Sequence, residues 1–337
     1  VRRRDVLLAA ASLAAFPGVA WSDPEVSHDD TVARWLAGMS QQGGAPNVAE
    51  WAAFAAAEDE RWARSLPRIQ SMQAWATREV APFVTSSMPL LYPFGGPDAL
   101  HAVTLFGHVD HLVLVGLEPV RPLPSEATVA ESGYFHNLGM ATSDLHRLTF
   151  FRTHELQTDM SEVGVLPPLL GALVRLGGWI RRVVVMGESG ASIEWESPRG
   201  HARRLDYISV DLSNGSLSRR GDVVTTLRSL APHLTLLKSA SYLLGEARFS
   251  HLRELLLRGS ATILEDDTGI PYRELGGRWS VRLFGRYVPP GSPFQDRAQE
   301  DLQAAFAQGP VRPLPFGVGY HVTARDSNLL LASRLAE

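Results

Sequence analysis

The chain contains no cysteine, which excludes disulfides, thiolate metal sites and a cysteine nucleophile, so its stability must come from an apolar core. Lysine is nearly absent as well: Lys238 is the single lysine among 32 basic residues, in a sequence that otherwise writes arginine. There is no excess of positive charge. The net charge of −4 excludes the basic field that nucleic acid requires, so no nucleic-acid partner is expected. Acids and bases are interspersed rather than blocked, which excludes a charged tail or a polybasic membrane patch.

At 337 residues, 45% of them apolar, the chain is long enough for one large domain or two of ordinary size. Arg2, Arg3 and Arg4 precede the apolar run VLLAAASLAAFPGVA, which ends in small residues around Gly18 and Ala20. This reads as a signal peptide over residues 1–20. The segment RRDVLL, Arg3 to Leu8, matches a twin-arginine signal, with an ordinary secretory signal as the alternative. The expectation is a periplasmic or secreted protein, with the twin-arginine export machinery as a partner. An apolar run of about 15 residues is short for a membrane span, so none is expected once the signal is cleaved.

Residues 24–80 read as a helical segment made of TVARWLAGMSQQ, then AEWAAFAAAEDERWARSL, then RIQSMQAWATREV after Pro67. Asn47 and Glu50 form a capping-box-like start for the second of these helices. Four of the eight tryptophans (Trp35, Trp51, Trp62, Trp75) fall in this region, where helix packing explains them better than an aromatic lid. Residues 81–337 read as an α/β domain whose two halves meet near residues 150–180. PLLYPF, GGPDALHAVTLFG and VDHLVLVGLEPV form a strand, a helix and a strand. Gly95 and Gly96 permit the turn, and Asp98 caps the helix. The Asp98 carboxylate argues against an anion at that helix start.

Residues 121–147 read as a long excursion, LHRLTFF as a strand, and THELQTDM and VLPPLLGALVRLG as helices. IRRVVVMGESGASIEWES reads as a hairpin turning at Ser189 and Gly190, LDYISVDLS as a strand and GDVVTTLRSLAPH as a helix. LTLLKSASYLL then places Lys238 in a strand, and a helix leads to a second strand ending at Asp266 and Asp267. WSVRLFGRYV reads as a strand, QDRAQEDLQAAFAQ as a helix and SNLLLASRL as a closing helix or coil. The predicted fold class is α/β: a mixed sheet with two βαβ-containing halves and an N-terminal helical layer. Right-handed crossovers make each strand pair parallel, which puts Glu118, Asp266 and Asp267 at strand carboxyl ends, where open sheets place ligands.

The leading chemical constellation is Lys238 with a carboxylate from Glu118, Asp266 or Asp267. A desolvated lysine serves as base or nucleophile, and a strand-end acid exchanges protons. The bland counterpart is a buried ion pair that fixes the strands. Asp267, Thr268 and Gly269 spell the aspartic-protease tripeptide, but those enzymes need two such aspartates and no second DTG or DSG is present. Ser189 lacks the GxSxG context of a nucleophile elbow. His101, His108 and His111 cluster with Asp110 without a recognised ligand spacing, so no metal is expected, and no cofactor is indicated.

YPFGGPD (Tyr92 to Asp98), GLEPV (Gly116 to Val120), LKSASYLL (Leu237 to Leu244), ILEDDTGIPYR (Ile263 to Arg273) and PLPFGVGY (Pro313 to Tyr320) resemble, in this order, segments of a family of uncharacterised exported bacterial proteins. Members carry YPFSGPD-like, LKSASYLMH-like and DDSGIPYR-like segments. The resemblance spans roughly residues 85 to 335 and implies no activity. It implies that these segments belong to one architecture, which makes Tyr92, Asp98, Ser241 and Tyr272, as candidate ligand-binding residues, a group to test together with Lys238, Glu118, Asp266 and Asp267. Gly95 stands where the family has Ser and Gly245 where it has His, which leaves no hydroxyl or imidazole at those places. Two functions remain open: a hydrolase-like enzyme or small-ligand site around Lys238, and a non-catalytic binding or envelope-maintenance protein.

Overall fold

Successive strand residues alternate between two apolar cores, and this alternation sets up three layers. The computed structural model describes residues 27–39, 48–148, 163–291, 295–321 and 323–335. In chain order its elements begin with helices α1 (His28–Leu36) and α2 (Val48–Glu79), strand β1 (Leu90–Tyr92), helix α3 (Ala99–Leu105) and strand β2 (His111–Gly116). Helices α4 (Glu126–Ala130), α5 (Tyr134–Leu148) and α6 (Leu166–Arg175) follow, then strands β3 (Trp179–Val185), β4 (Gly190–Glu196) and β5 (Ala202–Ser209). Helices α7 (Asn214–Leu217) and α8 (Gly221–Ser229) lead to β6 (His233–Leu237), α9 (Ser250–Gly259) and β7 (Ser260–Glu265). The chain closes with β8 (Trp279–Gly285), α10 (Glu300–Gln308), β9 (Val311–Arg312) and β10 (Asn328–Arg334).

The strands form one mixed ten-stranded sheet in the order β3-β4-β5-β2-β1-β6-β7-β10-β8-β9. From β5 to β7 every pairing is parallel. Taken in chain order, those five strands lie third, second, first, fourth, fifth, the doubly wound order. The crossover through α3 runs one way from the centre and the crossover through α9 runs the other. Crossovers of one hand therefore put the two helices on opposite faces. Leu100 and Leu105 of α3 join Leu90, Leu112 and Leu114 in one core, while Leu252 and Leu256 of α9 join Leu91, Val113 and Val115 in the other. The first core also takes α1, α2, α5 and α6, which is the N-terminal helical layer expected from the sequence.

Both sheet edges are blunted. Two N–H groups of edge strand β3 are taken by α1 carboxylates: Ile180 N donates to Asp30 at 2.8 Å and Val183 N to Asp29 at 2.7 Å. At the other edge β9 is only two residues long.

Several sequence readings are corrected. Residues 48–79 are one continuous helix through Pro67, not two helices. Pro67 and Ala63, whose carbonyl loses its helical donor, are both exposed, so water can serve that carbonyl while Ile69, Met72 and Trp75 carry the buried stripe onward. The excursion at 121–147 contains α4 and α5, and Leu145–Leu148 of the expected strand belong to α5. Most consequentially, SNLLLASRL is strand β10, lying antiparallel between β7 and β8. Asn47, the THELQTDM segment and the signal-like residues 1–20 lie outside the described residues. No helix among the described residues is long and apolar enough to cross a membrane.

Candidate functional site

The oppositely directed crossovers put the topological switch point of the sheet where the chain exits β1 and β6, the place at which open sheets of this order take ligands. Among the described residues, the non-glycine residues with positive φ are Phe94 (φ 60°) and Ser239 (φ 62°). Each stands two residues past the end of a strand, Phe94 after β1 and Ser239 after β6. Side chains in this region of backbone space are strained, and such strain collects at working sites. Ser239 adds ψ −121° at a strand-to-helix turn, and its buried Oγ has no hydrogen-bond partner among the described residues.

Asp98 holds this switch point together. As N-cap of α3 its Oδ1 accepts from His101 N at 3.1 Å and from His101 Nδ1 at 2.8 Å. Its Oδ2 accepts from Tyr92 OH at 2.9 Å and lies 3.0 Å from Lys238 Nζ. Four donors fill the acceptor sites of one carboxylate. Asp98 and Lys238 are almost wholly buried, and their pair ties the exit of β1 to the exit of β6. Burial alone would raise the Asp98 carboxyl, but the His101 ring, the Lys238 ammonium and the hydrogen bonds hold it far below the usual carboxylate range. Burial lowers His101 to about 4, with Lys238 adding to the effect and Asp98 opposing it, so the ring is neutral at pH 7. Ionised Asp98 only accepts, which makes Nδ1 the protonated ring nitrogen. Burial, and then the Asp98 charge, push the Tyr92 phenol well up.

Four further acids stand at neighbouring strand ends. Glu118, two residues past β2, accepts through Oε2 from Leu117 N at 3.1 Å and Tyr207 OH at 2.9 Å. Its carboxylate lies over the glycine turn, so a Cβ at Gly96 would meet Oε2 at 3.1 Å and Oε1 at 3.3 Å. Asp266, just past β7, accepts from Ser239 N at 3.0 Å, Thr268 N at 2.9 Å and Thr268 Oγ1 at 2.5 Å. Burial and the neighbouring Asp267 charge push Asp266 up to about 7, against the hydrogen bonds it accepts. Asp267 faces His321, with Nε2 to Oδ2 at 3.8 Å. Glu265, the last residue of β7, is fully buried, and burial raises it well above the ordinary carboxyl value. Half-buried Tyr242 and Tyr320 stack at 5.8 Å with rings 9° apart, near enough to Asp266 and Asp267 for those charges to help raise both phenols after burial.

Of the residues expected from the sequence, Lys238 lies just beyond its strand rather than inside it, and Asp98 is the acid it pairs with, where Glu118, Asp266 or Asp267 was expected. Tyr92, Asp98 and Lys238 meet directly, and Asp266 reaches them through the Ser239 backbone. Tyr272 packs against the core beneath α9 and α10, and its N–H donates to Gln299 at 2.7 Å. Ser241 belongs to a short helical turn over Ala240–Gly245, and its side chain lies outside the described residues. The histidine cluster is split: His101 serves Asp98, and His111 bonds Asp206 at 2.8 Å. Ser189 is an exposed hairpin-turn residue. Sequence reasoning missed Phe94, Ser239, Tyr207 and His321. Ser239 carried one usable signal, its place beside the single lysine. Compared with known families and with curated proteins, the chain matches no family model and no curated sequence.

Proposed function

We propose that the protein binds a small ligand in the crevice between the exits of β1 and β6, and that this ligand carries a ribose or an equivalent vicinal diol. The observation that carries the reading is the Glu118 carboxylate at the exit of the second parallel strand, resting against Gly96 of the first strand's turn. In sheets of this strand order, an acid about 20 residues beyond the glycine turn accepts hydrogen bonds from ribose hydroxyls. Glu118 Oε1 accepts no hydrogen bond within the described residues and is the acceptor this role needs.

A pyrophosphate has no place at the helix start, because the Asp98 carboxylate occupies it. The favoured ligand is therefore a nucleoside without phosphate at that position, and the stacked Tyr242 and Tyr320 supply a flat aromatic surface for its base. As an enzyme, the protein would use Asp266 as its proton-exchanging acid, since its pKa of about 7 suits neutral pH. Lys238 is then a fixed charge that organises the crevice rather than a base. The complete occupation of Asp98 by protein donors favours a second reading, a non-catalytic binding protein with the same crevice. The signal-like pattern of residues 1–20 supports export of the folded chain to the periplasm through the twin-arginine machinery.

The test is a thermal-shift screen of the full chain against ribonucleosides, free sugars, cell-wall fragments and peptides. A rise in melting temperature with ribonucleosides, and a smaller one with the matching deoxyribonucleosides, is expected. A shift with peptides or cell-wall fragments alone would overturn the diol reading.

A further inference from the structure

We propose a second ligand site, at the opposite end of the sheet from the crevice, that takes a small organic oxyanion with an apolar body. The end of α2, the end of α3 and the turn joining β4 to β5 enclose a cleft of about 530 Å³ there, near the amino ends of β2 and β5. That volume suits a small organic molecule.

Arg203 of β5 lines the cleft and is only 9% exposed. Its guanidinium donates to the Gly107 carbonyl oxygen, but its buried Nε–H has no partner among the described residues. Thr104 of α3 lines the same cleft at 3% exposure, and its buried hydroxyl likewise has no partner among the described residues. Arg199, His108 and His201 also face the cleft, with Asp110 as the acid among them. Asp110 is exposed and attracts Arg203 without forming an ion pair, so no carboxylate among the described residues neutralises the guanidinium at close range.

A buried cation with an unanswered N–H is unfavourable, and an oxyanion relieves both the charge and the donor. The planar fork of arginine matches a carboxylate or phosphate edge, and the Thr104 hydroxyl adds a second donor. Val80, Val84, Val103 and Leu176 give the cleft an apolar wall, which extends the ligand beyond an inorganic ion. No residue of this cleft belongs to the crevice at the strand carboxyl ends, so the two sites fail or stand independently.

The test is calorimetric titration of the full chain with acetate, octanoate and inorganic phosphate. Octanoate is expected to bind at least tenfold more tightly than acetate, and Arg203→Met to weaken it at least tenfold. Tighter binding of phosphate than of acetate would assign the head group as phosphate and still support the site. Arg199→Ala, at an exposed position, and the near-isosteric Thr104→Val keep the test open should Arg203→Met not fold, and each is expected to lower affinity severalfold. Absence of binding by all three anions, or affinities unchanged in every variant that folds, overturns the proposal.

Discussion

Four donors converge on Asp98, so changes to its partners separate architecture from binding. Lys238→Met leaves a buried carboxylate without its cation and is expected to destabilise the fold by about 3–5 kcal/mol in chemical denaturation. Adding Asp98→Asn should recover most of that loss, because neither charge then remains buried alone. Ser239→Gly removes the strained φ of 62° and an unsatisfied hydroxyl, and is expected to raise stability by about 1 kcal/mol after the entropy cost of glycine. Asp266 sets a pH dependence. Its folded pKa of about 7 lies above the ordinary carboxyl value of about 3.9, so its contribution is full at low pH and is lost as pH rises from about 4 to about 7. His101 acts in the opposite sense: its folded value of about 4 lies below the ordinary value of about 6.5, so its contribution is lost as pH falls through that window. Asp266→Asn should therefore gain on wild type by on the order of 3 kcal/mol between pH 4 and pH 7, read from denaturation midpoints. Parallel profiles would contradict this. At this scale the sequence showed Lys238 by its rarity and Glu118 by its strand-end position. The Lys238–Asp98 pair was hidden because it depends on which two loops the sheet brings together, and the strained Ser239 because no glycine marks its turn.

Helix α2 carries a proline that local propensity reads as a boundary, yet the helix continues because the freed carbonyl faces water. Pro67→Ala is expected to stabilise the protein by about 2 kcal/mol, the intrinsic helix gain less the added freedom of the unfolded chain. An unchanged melting temperature would contradict this. The βαβ units around α3 and α9 were legible because apolar strand runs are punctuated there by glycine turns and an amphipathic helix. Strand β10 was not. Its three consecutive leucines suit a strand buried on both faces, Leu329 and Leu331 entering one core and Leu330 the other, and such a short apolar run has no period to tell it from a helix. Helix α5 was masked by Asn137 and Gly139, poor helix formers that sit among Phe135, Leu138 and Ala141 of its buried stripe.

At the scale of the whole molecule, two crossovers of one hand running in opposite directions fix everything else. They set helices on both faces, put a topological switch point at the central strands, and bring residues from distant segments to one end of the sheet. The Asp98–Lys238 pair joins the two strand exits at that switch point, Glu118 and Asp266 stand at the neighbouring strand ends, and the arginine-lined cleft lies at the other end. The central claim, a diol-binding crevice at the switch point, is tested most directly by calorimetric titration of adenosine and 2′-deoxyadenosine into wild type and Glu118→Gln. A hydrogen bond to a charged group contributes about 1.5–3 kcal/mol, so wild type should favour the ribonucleoside by about 10- to 100-fold and the variant should lose that preference. Equal affinities for the two nucleosides in wild type, or a preference that survives in the variant, would contradict the account.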